Sequence, residues 1–169
     1  LSSQRVDSAQ HTGAAVSLPI PPLPLSRETT STVSVHTGSG QPVKVEIPAQ
    51  PLPGAVAVLV HPDGTQTVVR TSTPTERGIL ASIPDGATVK LVDNRKDFGD
   101  TGSHWAKDAI DFVSARELFS GKTPFSFAPD SPMTRAMVTT VLAQLDGVDT
   151  AGGAVWYENG LNWAVAHGI

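Results

Sequence analysis

The chain has 169 residues, 39 % hydrophobic and 5 % aromatic, enough for one ordinary domain or two small ones with modest cores. Its formal net charge of −4 arises entirely after residue 97, with eight basic and eight acidic residues up to that point and four basic against eight acidic beyond it. This balance leaves no electrostatic footprint for DNA or RNA. The lack of cysteine excludes disulfides, thiolate metal sites and a cysteine nucleophile, and the longest apolar run, Ala55–Val60, is too short to span a bilayer.

Three textures follow one another. Residues 1–32 open with LSSQRV, which has neither an initiator methionine nor the features of a signal peptide, so the chain reads as a piece of a longer protein with any export signal upstream. They continue into SLPIPPLPLS, whose four prolines remove backbone donors and favour extended geometry; the segment reads as a disordered or proline-rich, semi-rigid linker. PPLP also fits an SH3-type ligand, but specifies little.

Residues 33–94 read as a small antiparallel β domain. Val43, Val45 and Ile47 alternate with Lys44 and Glu46, the period of a strand with one wet face. Pro62-Asp63-Gly64 and Pro84-Asp85-Gly86 each separate two strand-like runs, and Asp-Gly is a hairpin signal. His36 and His61 stand alone, without a second histidine at ligand spacing, and read as surface or turn residues. The spaced acids of DNRKDFGDTG imitate a calcium loop, but Arg95 takes a ligand slot and Phe98 the place of the turn glycine, which argues against a metal.

Beyond residue 96 the period becomes helical. In one helix Trp105, Ala109, Phe112 and Val113 share a face, with Lys107, Asp108 and Asp111 turned away. SGKTPFSFAPDSP is a loop, with Phe125 and Phe127 expected beneath it. A second helix follows, with Met137, Val138, Val141, Leu142 and Leu145 as its expected buried stripe and Gly147 at its end. WYENGLNWAVAHGI from Trp156 then matches WAKDAIDFVSAREL from Trp105 at a constant offset of 51 residues, the signature of a tandem helical repeat. The expected architecture is α+β in separate modules: a β-sheet or sandwich, a complete helical repeat over 96–147, and a truncated second copy over 148–169.

Phe98, Asp100, His104-Trp105-Ala106, Ala109-Ile110, Gly121, Phe127, Pro129 and Thr134-Arg135-Ala136 together resemble the S-layer homology repeat, and the β segment resembles a small domain that precedes such repeats in some clostridial-type surface proteins. The resemblance implies an extracellular, non-catalytic module that attaches exported proteins noncovalently to the secondary cell-wall polysaccharide of a Gram-positive-type wall, often through a pyruvylated sugar. Three repeats, from the same chain or another protomer, commonly build one unit with grooves between lobes. No cofactor, metal, nucleic acid or membrane insertion is implied. Polysaccharide contact carries over onto Arg135, Thr134, Trp105 and Asp100.

One departure is informative. The family's glutamate after T-R-A is Met137 here, so Thr134 can cap the helix but residue N3 cannot return the bond, and half a capping box is lost. Met133 and Val138 are placed to staple the same turn. Arg135, at the first helical position, lies against the positive end of the helix dipole. A cation kept there converges with free amides to make an anion site, and a guanidinium grips a carboxylate through two parallel bonds. The bland alternative is an exposed arginine paired with a nearby acid. Trp105 likewise offers either a ring for a sugar face or a core side chain, and its place on the apolar stripe favours core; His104 reads as a helix-start residue.

Two other function classes compete with the anchor. No nucleophile elbow, zinc-helix motif or phosphate loop supports an enzyme, although a glycan-hydrolase carboxylate pair is invisible to sequence spacing. A structural linker or presentation module is the stronger rival, since only one repeat is complete.

Overall fold

The computed structural model describes residues 6–7, 12–28 and 31–169. Its elements are β1 (Val16–Ser17), β2 (Val33–Ser34), β3 (Val43–Pro48), β4 (Ala55–Val60), β5 (Gln66–Val68), β6 (Thr73–Pro74), β7 (Gly78–Ile83), β8 (Thr88–Asp93), α1 (Lys107–Ala115), α2 (Arg135–Leu145) and α3 (Glu158–Ala166). The strands form two sheets, β1-β3-β7-β6 and β2-β8-β4-β5, antiparallel except where β1 runs parallel to β3. The outcome is an α+β chain, a β-sandwich followed by helices.

Alternation builds the sandwich core. Val43, Val45 and Ile47 of β3 face Ile79, Ala81 and Ile83 of β7, paired Val43 with Ile83 and Val45 with Ala81, and Ala55, Ala57, Val89 and Leu91 close the core from the other sheet. Strand β4 departs from alternation because both its faces are covered. Val56 and Val58 turn away from the core yet are buried with Ala115 of α1, and a strand buried on both sides reads as a continuous apolar run.

The first Asp-Gly turn makes the expected hairpin, β4 with β5. The second does not: β7 and β8 belong to different sheets, so Pro84-Asp85-Gly86 carries the chain across the sandwich. Asp85 is occupied by tertiary bonds instead, accepting the amides of Thr37 (2.7 Å), Gly38 (3.3 Å) and Gly40 (3.0 Å), and these donors hold its carboxyl well below the usual carboxylate range.

The linker expected over 1–32 lies partly outside the described residues, at 1–5, 8–11 and 29–30. Its described part is strapped to the sandwich: β1 pairs with β3, Val16 and Leu18 are buried, and Leu23 bridges to Ala49. Proline density favoured an extended chain, and the extended chain lies along a sheet edge because its Val and Leu side chains reach the core.

Arg116, just past α1, joins helices to sandwich. It is fully buried with no acid beside it. Its Nε donates to Ser72 O (2.6 Å), one terminal nitrogen to Pro53 O (3.1 Å) and Phe112 O (3.0 Å), the other to Ala55 O (3.0 Å), and the guanidinium lies 3.6 Å from the Phe112 ring centroid. Burial pushes its pKa down to about 10, so the arginine remains charged at neutral pH. Asn94 Nδ2 adds a bond to Ala115 O (2.6 Å).

Candidate functional site

Helix α1 buries Ile110, Asp111, Ser114 and Ala115, not the face expected from its apolar period. Contact with β4 and the Arg116 anchor turn that side inward, and Asp111 tolerates burial because Lys107 Nζ reaches its carboxylate at 2.7 Å. Trp105 is 91 % exposed, which overturns its reading as core. The helix starts at Lys107, so Trp105 lies in the preceding turn where helical periodicity no longer fixes direction. His104 organises that turn. Its Nδ1 accepts the Ala106 amide (3.2 Å), which leaves Nε2–H to donate to Asp130 (3.3 Å).

Asp100 organises the loop between α1 and α2. Its carboxylate accepts Ser126 Oγ (2.8 Å), Phe127 N (3.0 Å) and Ala128 N (2.8 Å), and these donors lower its pKa to about 2. The bond to Ala128 holds a non-glycine residue in the left-handed region, at φ +60°. Gly121 occupies the same region at φ +76°, where a Cβ would meet the Phe98 ring at 2.8 Å. Phe127 packs between Phe98 and Phe119, with ring centroids 5.4 and 6.5 Å away, whereas Phe125, expected beneath the loop, is 79 % exposed at its tip.

At the start of α2, Thr134 is the cap. Its Oγ1 accepts the Met137 amide at 3.3 Å, and no acid lies in the first turn. The expected staple leaves Met133 and Val138 exposed. Arg135 is exposed too, its guanidinium has no hydrogen bond or ion pair among the described residues, and the Arg135 and Ala136 amides have no acceptor there. Arg135 therefore presents its charge to solvent beside the positive helix end.

The rest of α2 corrects its expected stripe. Thr140 and Ala143 are the buried residues, facing α3; Val138, Leu142 and Leu145 are exposed. The close crossing requires Gly160, because a Cβ there would come within 2.7 Å of Thr140 Cα. Met137 and Val141 instead face an apolar groove of about 680 Å³ between α2 and the Ile110–Val113 side of α1, with Phe127 and Trp156 in its walls. Arg135, Thr134, Trp105 and Asp100 line neither this groove nor the two smaller cavities at the joint. Sequence reasoning missed Arg116, Arg70 and Trp156 as residues that shape cavities and joints. Of these only Trp156 carried a signal, its repeat match to Trp105.

Helices α1 and α3 begin and end 51 residues apart, so the sequence repeat is a structural one. A β-sandwich joined to a tandem helical repeat is the class of protein these elements define. Residues 97–136 match the S-layer homology domain family. Such domains are in general non-catalytic modules that anchor proteins to cell-wall polymers.

The chain is 29 % identical over 100 residues to an endo-1,4-beta-xylanase A of Thermoanaerobacterium saccharolyticum, covering 54 % of this chain and 8 % of that protein. It is 30 % identical over 83 residues to an amylopullulanase of Thermoanaerobacterium thermosulfurigenes (44 % and 4 %), and 29 % over 101 residues to exoglucanase XynX of Acetivibrio thermocellus (54 % and 9 %). It thus spans less than a tenth of these curated relatives. No solved structure matches it. No described helix is long and apolar enough to cross a membrane, and no described cluster of histidine, aspartate and glutamate could hold a metal ion.

Proposed function

We propose that this chain is the non-catalytic wall-anchoring part of an exported bacterial surface protein, holding it noncovalently to an acidic secondary cell-wall polysaccharide. The observation that carries the reading is Arg135, an exposed cation without an internal acid, beside the open amides of a helix start. A pyruvylated sugar presents a carboxylate, which a guanidinium and those amides can hold together. Thr134 sets the helix start, Asp100 fixes the loop that leads to it, and exposed Trp105 offers a ring to an apolar sugar face. Exposed Val138, Leu142 and Leu145 on α2, with Val165 and Ile169 at the chain end, supply a surface for further repeats, from the same chain or another protomer.

The test is retention on purified wall sacculi by the protein carrying its full set of repeats. Binding is expected, and removal of the anionic polysaccharide should abolish it; equal retention on stripped walls rejects the reading. Arg135→Ala should weaken retention at least tenfold while changing stability by no more than about 0.5 kcal/mol, as for an exposed side chain. The buried Arg116 joint favours a second reading, that the chain chiefly presents its neighbours at a fixed angle. Sacculus binding that ignores Arg135→Ala favours it.

A further inference from the structure

Two side-chain atoms among the described residues are buried without a hydrogen-bond partner, Arg70 Nε and Gln144 Oε1. Both residues line one cavity of about 400 Å³, walled also by Trp156 and the turn through Gly152 and Gly153. Arg70 comes from the turn where the chain leaves β5 for the other sheet, Gln144 from the end of α2, and Trp156 from the start of the second helical copy. The cavity therefore exists only because sandwich and helices meet.

A buried polar atom is normally paired, and two unpaired ones of opposite character around one cavity offer a guest both a donor and an acceptor. Gln144 Nε2 bonds Thr150 Oγ1 at 2.9 Å, and either orientation of the amide leaves its other atom unpaired. The Arg70 guanidinium has no hydrogen bond or ion pair among the described residues. Asp149 also lines the cavity, its carboxylate accepting the Ala151 amide at 2.9 Å, so the lining residues carry one charge of each sign and favour a neutral guest. A guest that offers acceptor and donor together, with an apolar face for Trp156, has the chemistry of a sugar: each hydroxyl both donates and accepts, and an acetamido group carries C=O and N–H. The volume falls within the range of small-molecule sites and suits one or two sugar rings.

We propose that the joint between sandwich and helices is a second saccharide subsite, taking a neutral hexose or N-acetylhexosamine unit, with Arg70 and Gln144 as its polar contacts and Trp156 as its wall. It takes its setting from the wall-anchoring reading but not its residues, since the anionic site uses Arg135. The fixed geometry of the joint preforms the subsite: Arg116 grips the Ser72 carbonyl, two residues beyond Arg70.

The test is a solution NMR titration of the 169-residue chain with glucose and, separately, N-acetylglucosamine, following the Trp156 indole, the Gln144 side-chain amide and Arg70 Nε–H. Saturable shifts confined to these groups and to Gly152 and Gly153 are expected with at least one sugar. They should weaken at least tenfold in Arg70→Met and in Gln144→Leu and persist in Arg135→Ala, which separates this subsite from the wall site. Arg70→Met should not lower the melting temperature of the free protein, because it removes an unpaired group, whereas Gln144→Leu also removes the bond to Thr150 Oγ1 and is read by the shifts alone. Absence of saturable shifts, meaning that water alone fills the cavity, overturns the proposal. So do shifts unchanged in both variants, or shifts produced only by an extended peptide probe.

Discussion

The sandwich and the helical region spend their apolar side chains in opposite ways. The main core cluster is drawn wholly from residues before α1, whereas each large hydrophobic residue exposed among the described ones, from Trp105 to Ile169, lies in the helical region. Two facing sheets bury each other's inner faces, and α1 covers the outer-face Val56 and Val58 of β4. Helices in a tandem repeat bury only the face their neighbour covers, and α2 buries Thr140 and Ala143 against α3 while Met137 and Val141 face the groove toward α1. The first region encloses its apolar side chains and the second leaves many of them at the surface.

The comparison can be broken most forcefully by truncating one residue in each region. Ile79→Ala, at a fully buried position facing β3, should cost about 2–5 kcal/mol in urea unfolding, as core truncations do. Leu142→Ala, at a position 38 % exposed, should cost well under about 1 kcal/mol. Equal costs would mean that the helical region is as closed as the sandwich.

Arg116→Met tests whether the regions are one unit. It strips donors from four backbone carbonyls and should destabilise the chain by about 2–4 kcal/mol. One calorimetric transition should become two, with the helices melting first. A single transition at the original temperature would show that the joint does not depend on this residue. Gly160→Ala is confined to the helices, where the added methyl has to displace Thr140; a cost of about 1–3 kcal/mol is expected, with α2 and α3 amides losing exchange protection and sandwich amides keeping it.

The smallest effect is a pH response. The folded pKa of Asp100 is below its unfolded value of 3.8, so its contribution is present above 3.8 and is lost as pH falls through about 2. Phe127 and Ala128 amide signals should therefore move between pH 4 and 2, and Asp100→Asn should remove that titration. Signals that titrate unchanged in the variant would show that another group holds the loop.

Much of this was legible in the residues. Alternation in 43–47 placed Val43, Val45 and Ile47 on the buried face, although Glu46, expected on the wet face, is buried too and held by Arg77 and Thr75. Thr134 marked the start of α2, and the 51-residue offset marked α3 as a copy of α1. Local spacing decides these features, because strand pleat, cap geometry and helical rise belong to the chain itself. Where the reading failed, except at Trp105, the partner lay far away in sequence. The face of α1 was misjudged because β4 and the carbonyls of Pro53, Ala55 and Ser72 chose it, and Trp105 because it precedes the helix. The turn at Asp85 gave no hairpin: it leads from one sheet to the other, and its carboxylate accepts the amides of Thr37, Gly38 and Gly40.

Taken alone, the sequence determined that there would be a β region, a tandem helical repeat, a capped helix start carrying an arginine, and no thiol chemistry. Only tertiary structure decided that the proline-rich segment joins the sheet, that Arg116 is buried as a joint, and that Arg70, Gln144 and Trp156 surround one cavity. The reason is physical: hydrogen-bond satisfaction and close packing are settled between surfaces brought together from distant parts of the chain, and residue spacing along one segment does not encode which surfaces those will be.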